Sequence, residues 1–208
     1  MELSTFAYFL MASILLTLAP GPDILYLLTK SLSEGAKSGI TLAAGLVSGI
    51  IFHTFLVMVG VATFIQNSPV AFTVLKIFGA AYLIFIAFKS FQAARAGKKI
   101  SMQKSDAKIS FIKLYRRGVL MNVLNPKVLL FFLAFLPQFV NLSASSPSLQ
   151  IIFLGVTFAV QAFLIFSAIA ICAGKVRDLI LRKKNLGQIF NYVEGFVLAV
   201  IALTLLIL

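Results

Sequence analysis

The 208-residue sequence points to an all-α integral membrane protein with six transmembrane helices, read as a 3+3 inverted repeat with helices one and four broken. Three observations carry this reading. Hydrophobic residues make up 61% of the chain and charged residues 12%, about half the charged share of an average soluble domain. Six apolar stretches reach the roughly 20 residues that a membrane-crossing helix needs. The basic residues gather in alternate connections between those stretches, the pattern that orients membrane proteins.

The stretches run over residues 3–29, 39–65, 70–88, 118–140, 149–173 and 190–208. Glu2 stands where a secretory signal would be basic, and the apolar run continues too far, so the N-terminus is not read as a cleavable leader. Mean hydropathy is +1.05, which excludes a soluble enzyme, a disordered chain and a disulfide-stapled secreted domain. Cys172 is the single cysteine, so neither a disulfide nor a thiolate metal cluster can be built within the chain. The sequence shows no motif for a metal or any other cofactor, and no Walker-type phosphate loop.

The net charge of +12 would suit a nucleic-acid binder, but its placement argues otherwise. Lys30 and Lys37 flank the first connection; Lys89, Arg95, Lys98, Lys99, Lys104, Lys108, Lys113, Arg116 and Arg117 lie in or beside the third. Lys175, Arg177, Arg182, Lys183 and Lys184 lie in the fifth, while connections 66–69 and 141–148 carry no charge. The odd connections therefore face the cytoplasm and both termini lie outside. Nucleic acid is excluded as a partner; membrane lipid headgroups are not, because the stretch 95–117 can touch anionic ones. On this reading the chain is one transmembrane domain. Residues 1–91 form a first helix triplet, 92–117 a basic cytoplasmic loop and 118–208 a second triplet.

The two breaks are the candidate functional centre. Pro20-Gly21-Pro22-Asp23 interrupts the first span, because proline removes a backbone donor and clashes with the preceding turn. Gly21 then suits a cap and Pro22 a first helical turn. Asn125-Pro126-Lys127 repeats the arrangement in the fourth span, with Asn125 as N-cap. Aligning the two prolines gives three spans per half in opposite orientation, as in many secondary transporters. Exposed half-helix N-termini carry unpaired N–H groups and partial positive charge, suited to a carboxylate.

Asp23, His53, Lys76, Lys127 and Glu194 are titratable groups within the apolar stretches, where each costs on the order of 2.5–3.5 kcal/mol and must face protein or water. Two readings of Asp23 and Lys127 stand side by side. In one, Asp23 receives the ammonium of a zwitterion while Lys127 and the half-helix N-termini receive its carboxylate. In the other, the two residues pair with each other or Lys127 snorkels. His53 is the sole histidine and shares a helix face with Gly45 and Gly49, open to a proton relay or to packing. Gly45-xxx-Gly49 is itself a close-packing signal, and Gly79 matches Gly195 in the corresponding spans. Lys76 and Glu194 read as span-end residues that snorkel or pair locally. Gln138 and Gln161 suit either a path lining or helix–helix hydrogen bonds.

These residues resemble the LysE/RhtB amino-acid exporters over essentially the whole chain. The resemblance rests on Leu18-Ala19-Pro20-Gly21-Pro22-Asp23 followed by Gly35, Gly39, Gly45, Gly49 and His53. It continues in Leu75-Lys76, Gly79-Ala80 and Tyr82-Leu83, then in Asn122, Asn125-Pro126-Lys127 and Phe135 to Phe139. The resemblance implies a six-helix (or five-helix plus re-entrant) inner-membrane protein that exports amino acids or close derivatives, driven by the proton gradient. Pro20, Gly21, Pro22, Asp23, Asn122, Asn125, Pro126 and Lys127 are then the substrate-binding candidates, and Asp23 and His53 the proton-coupling candidates. The expected partners are an amino acid, protons and lipid, and the glycine faces are compatible with a homodimer. Two departures stand out. Members often carry Asn where this chain has Asp23, and some carry an acid near Gln161 and Ala162. The rival readings are a passive channel or an ion exporter of the same superfamily, and an integral membrane enzyme. The enzyme reading is set aside because His53 has no acid or nucleophile at catalytic spacing.

Overall fold

A computed structural model describes residues 2–60, 68–97, 110–141, 144, 146–182 and 185–207. Outside the described residues lie the expected end of the second span at 65, most of the uncharged connection 66–69, Lys98, Lys99, Lys104, Lys108, Lys183, Lys184 and Leu208. The described residues form helices and turns only. They are α1 (Leu3–Leu18), α2 (Pro22–Glu34), α3 (Ala36–Gly60), α4 (Pro69–Arg95), α5 (Phe111–Val123), α6 (Pro126–Leu130), α7 (Pro147–Arg182) and α8 (Leu186–Ile207).

Four of these helices, α3, α4, α7 and α8, are long and apolar enough to cross a membrane. Counting each bent pair, α1–α2 and α5–α6, as one broken span gives up to six spans. The chain is a multi-pass membrane protein, and its surface agrees. Large apolar side chains such as Ile51, Val70, Phe78 and Phe196 are each about two-thirds exposed or more, which water would penalise and lipid tails accept.

Each bend follows from local chemistry. Helix α1 stops at Leu18 because Pro20 and Pro22 supply no backbone donors to continue its ladder. Gly21 is the extended N-cap of α2, and Pro22 opens the helix where its missing N–H costs nothing. The two axes meet at 58°. Helix α2 closes at Gly35, whose φ of +90° lies in the region that favours glycine. At the second bend, of 50°, Asn125 caps α6: its side chain accepts the Lys127 N–H at 3.0 Å. Beyond α6 the chain loosens into a π-helical turn (Phe131–Phe135) and then a 3₁₀ turn (Leu136–Phe139) that contains Pro137. The phenylalanines there form the core, where Phe131 stacks on Phe135 at 4.8 Å and Phe132 meets Phe158 edge-on at 5.1 Å.

Helix α3 packs against both α5 and α7, α4 lies along α8, and α2 sits between α3 and α7. Two expectations need correction, while the fifth span ends at Ala173 as expected although its helix continues to Arg182. The third span reaches Arg95 rather than 88. The helical part of the fourth begins at Phe111, seven residues before 118. Hydropathy marks where lipid ends, but a helix satisfies its own backbone and continues into water without penalty. Gln138 and Gln161 make helix–helix hydrogen bonds: Gln161 donates to Thr17 Oγ1 at 2.9 Å and Gln138 to the Leu205 carbonyl at 3.2 Å.

Candidate functional site

The α1–α2 break places a helix C-terminus beside a helix N-terminus, and an opposite charge answers each. Asp23 occupies the first turn of α2, where exposed N–H groups favour a carboxylate. Lys127 reaches across from α6 and donates to the Ala19 carbonyl at 3.0 Å, at the negative end of α1. Both side chains are only 8% exposed, so Lys127 does not snorkel. Nor do Asp23 and Lys127 pair directly. Among the described residues no carboxylate oxygen lies within 4.0 Å of the Lys127 ammonium. Asn125 stands between them, donating from Nδ2 to Asp23 at 2.7 Å while its oxygen caps α6. One side chain thus locks the two breaks together.

Gly21, Asp23, Asn122 and Lys127 meet around a cavity of about 20 Å³, closed further by Thr17, Ile50, Val128 and Phe158. That is room for one or two waters and far below the ~300 Å³ of an ordinary ligand pocket. The arrangement is an occluded polar centre. Pro20, Pro22 and Pro126 shape it through the backbone and Asn125 through its side-chain bonds, without lining it. A second, apolar groove of about 360 Å³ is lined by Pro20, Ile24, Leu28, Ile169, Phe190 and Val193.

His53 lies one layer behind. It is fully buried, its Nε2 is 3.0 Å from the Asn122 carbonyl, and Nδ1 has no partner. Facing a carbonyl oxygen, Nε2 carries a proton and donates. Gly49 makes room for Asn122, since a Cβ there would stand 2.6 Å from its side-chain oxygen. Gly45 allows α5 to touch α3, and Gly79 rests 3.2 Å from the Ala134 Cβ by the same measure. A glutamine at 53 can still donate to the Asn122 carbonyl. We expect His53→Gln to keep transport within about threefold and to leave its pH dependence intact, measured as flux between pH 5.5 and 8. A flattened profile would make His53 a relay.

Two residues depart from their sequence reading. Glu194 does not snorkel. Helix α8 begins at Leu186, so Glu194 lies more than two turns inside it, and Ser90 of α4 donates to its Oε2 at 3.1 Å. Its other oxygen faces the break, 3.3 Å from where a Gly21 Cβ would stand, with Lys127 Nζ at 3.2 Å from the same point. The available signal was a carboxylate in an apolar run followed directly by Gly195, which packs against Ala87 and Phe91 of α4. Lys30, expected only as an orientation signal, turns inward. It is 2% exposed and bonded to Glu34 one turn along α2, while Arg117 lies over the neighbouring Tyr26 ring at 4.3 Å. Lys76 is half-buried on α4.

The family described as "LysE type translocator" matches residues 14–208. A protein of Salmonella typhi named "Leucine efflux protein" is 29% identical over 187 residues, 90% of this chain and 87% of its own length. A "Leucine efflux protein" of Klebsiella pneumoniae is 29% identical over 189 residues, 91% of this chain and 88% of its own. No solved structure matches the chain. With the family pattern covering both breaks, Asn125, Lys127 and Glu194, this chain belongs to the LysE type translocator family.

Proposed function

We propose that the protein exports amino acids from the cytoplasm across the inner membrane by proton antiport, with both termini outside. The observation that carries this is the occluded cluster at the α1–α2 break, where the buried Lys127 ammonium, the buried Asp23 carboxylate and the half-buried Glu194 carboxylate lie near Gly21 without closing on each other. A zwitterion needs both signs of charge within a few ångströms, held in a low-dielectric interior. Lys127 is the group for the substrate carboxylate, and the acidic side chains serve its ammonium. Pro20, Gly21, Pro22, Asn122, Asn125 and Pro126 set the backbone and amide geometry around them. The apolar groove continues from the break past Val193 and fits an apolar side chain. The relatives named leucine efflux protein support an apolar amino acid as the cargo.

The repeat supplies the motion. Residues 1–91 and 118–208 form the two triplets, related by their proline breaks. Their second members (α3, α7) pack together, as do their third members (α4, α8). Rocking one triplet against the other about the Asp23–Asn125 contact opens the cavity to one side at a time. One inward proton charge contributes about 2.3 kcal/mol per 100 mV to export. Proteoliposomes loaded with labelled leucine test the proposal. Efflux should accelerate when the outside is acidified and slow when a protonophore collapses the gradient. Gradient-independent flux would make the protein a channel, and absence of any amino-acid flux would end the reading.

A further inference from the structure

The amino-acid reading leaves open which carboxylate meets the substrate ammonium, and the geometry points to Glu194 rather than Asp23, with the substrate's head group seated against Gly21 between Glu194 and Lys127. This assignment rests on the export reading above and deepens it. Asp23 is engaged already: the Asn125 amide holds one oxygen at 2.7 Å, and its place in the first turn of α2 sets the carboxylate in the favourable field of that helix N-terminus. Glu194 is held from behind by Ser90 through Oε2, which leaves Oε1 directed at the break. Lys127 reaches the same glycine, anchored on the Ala19 carbonyl.

The ammonium of Lys127 and the Oε1 of Glu194 each come within 3.3 Å of the position a Gly21 Cβ would occupy, yet they stay beyond ion-pair distance of one another. The two opposite charges beside Gly21 are thus more than 4.0 Å and at most about 6.5 Å apart, a spacing that a group carrying both signs can bridge. The head group of an amino acid, with its carboxylate toward Lys127 and its ammonium toward Glu194, is such a group. Gly21 is then required because any side chain there would fill the seat. The side chain of the substrate, leaving the same α-carbon, enters the apolar groove whose wall includes Val193, the residue before Glu194.

The placement also joins substrate to proton. Glu194 accepts an ammonium only when ionised, so a proton on its carboxylate and a bound amino acid exclude each other, as antiport demands. The charged groups facing it are Lys127 from α6 and Asp23 from α2, while α4 presents Ser90.

The test compares leucine with 4-methylpentanoate, which lacks only the amino group. Dissociation constants are measured by isothermal titration on the purified full-length protein in detergent. Glu194→Gln should weaken leucine by about 10- to 100-fold while changing 4-methylpentanoate by less than about twofold, so that the preference for the amino group disappears. Glu194→Asp should keep part of that preference. Ser90→Ala, a milder change that frees the carboxylate without removing it, should lower the preference several-fold. Asp23→Asn should leave it as in the wild type. A Glu194→Gln protein with the wild-type preference, or an Asp23→Asn protein that loses it, overturns the assignment. If Glu194→Gln does not fold, the Ser90→Ala result decides, and an unchanged preference there overturns it. A wild-type protein that binds no amino acid at all removes the export reading and this assignment with it.

Discussion

Replacing Lys127 by glutamine should abolish measurable export, lowering the initial rate of leucine efflux by about 100-fold or more. The basis is the environment of the ammonium. It is 8% exposed, its one hydrogen bond is to the Ala19 carbonyl, and Glu194 and Asp23 both lie in its field. A hydrogen bond to a charged group contributes about 1.5–3 kcal/mol, and removing one member of a buried charge set leaves the others uncompensated. A neutral side chain would leave α1 without a cation at its C-terminus and the substrate carboxylate without a partner. The measurement is efflux from proteoliposomes containing equal amounts of inserted protein, with thermal unfolding as a control for integrity. Lys127→Arg keeps the charge and should recover part of the rate. A folded Lys127→Gln protein that transports within about twofold of the parent would remove Lys127 from the substrate path.

The largest effect on stability should come from a single methyl group. A Cβ at Gly45 would stand 2.1 Å from the Tyr115 carbonyl oxygen, and one at Gly118 would stand 2.5 Å from the Leu42 carbonyl. Both obstacles are backbone, so neither can swing aside. Helices α3 and α5 must separate, which breaks the contact that also seats Asn122 against Gly49. In lipid no hydrophobic force draws the helices together again, because the tails are as apolar as the interface. Gly45→Ala should therefore cost at or beyond the upper end of the ~1–3 kcal/mol usual for overpacking. A lowered unfolding temperature and a smaller monodisperse fraction on size exclusion would report it. Gly60 supplies the control. It is on the same helix, nothing among the described residues lies within 4 Å of its added Cβ, and Gly60→Ala should be neutral or slightly stabilising because alanine favours helix. Equal effects at the two positions would show that the α3–α5 crossing does not decide stability.

What the sequence determined by itself is what depends on short stretches of chain. Apolar length set the spans, and Pro20, Pro22 and Pro126 set the breaks. The capping roles of Gly21 and Asn125 followed from residue type, since proline and a side-chain acceptor act within one turn of themselves. The segregation of basic residues was equally open to reading. Tertiary structure alone decided which side chains meet. Lys127 found the α1 carbonyl, Asn125 rather than Lys127 found Asp23, and Glu194 arrived at Gly21 from the far end of the chain. Lys30, which looked like an orientation signal, went inside to Glu34. The physical reason is that lipid and protein interior are both apolar, so a membrane helix has little need to distinguish its buried face from its exposed one. Helix α4 shows this, with almost no amphipathic periodicity although Ser90 and Ala87 on it are buried and Phe78 and Phe85 face outward. Without that periodicity, only the packing of whole helices could bring Glu194 to the break.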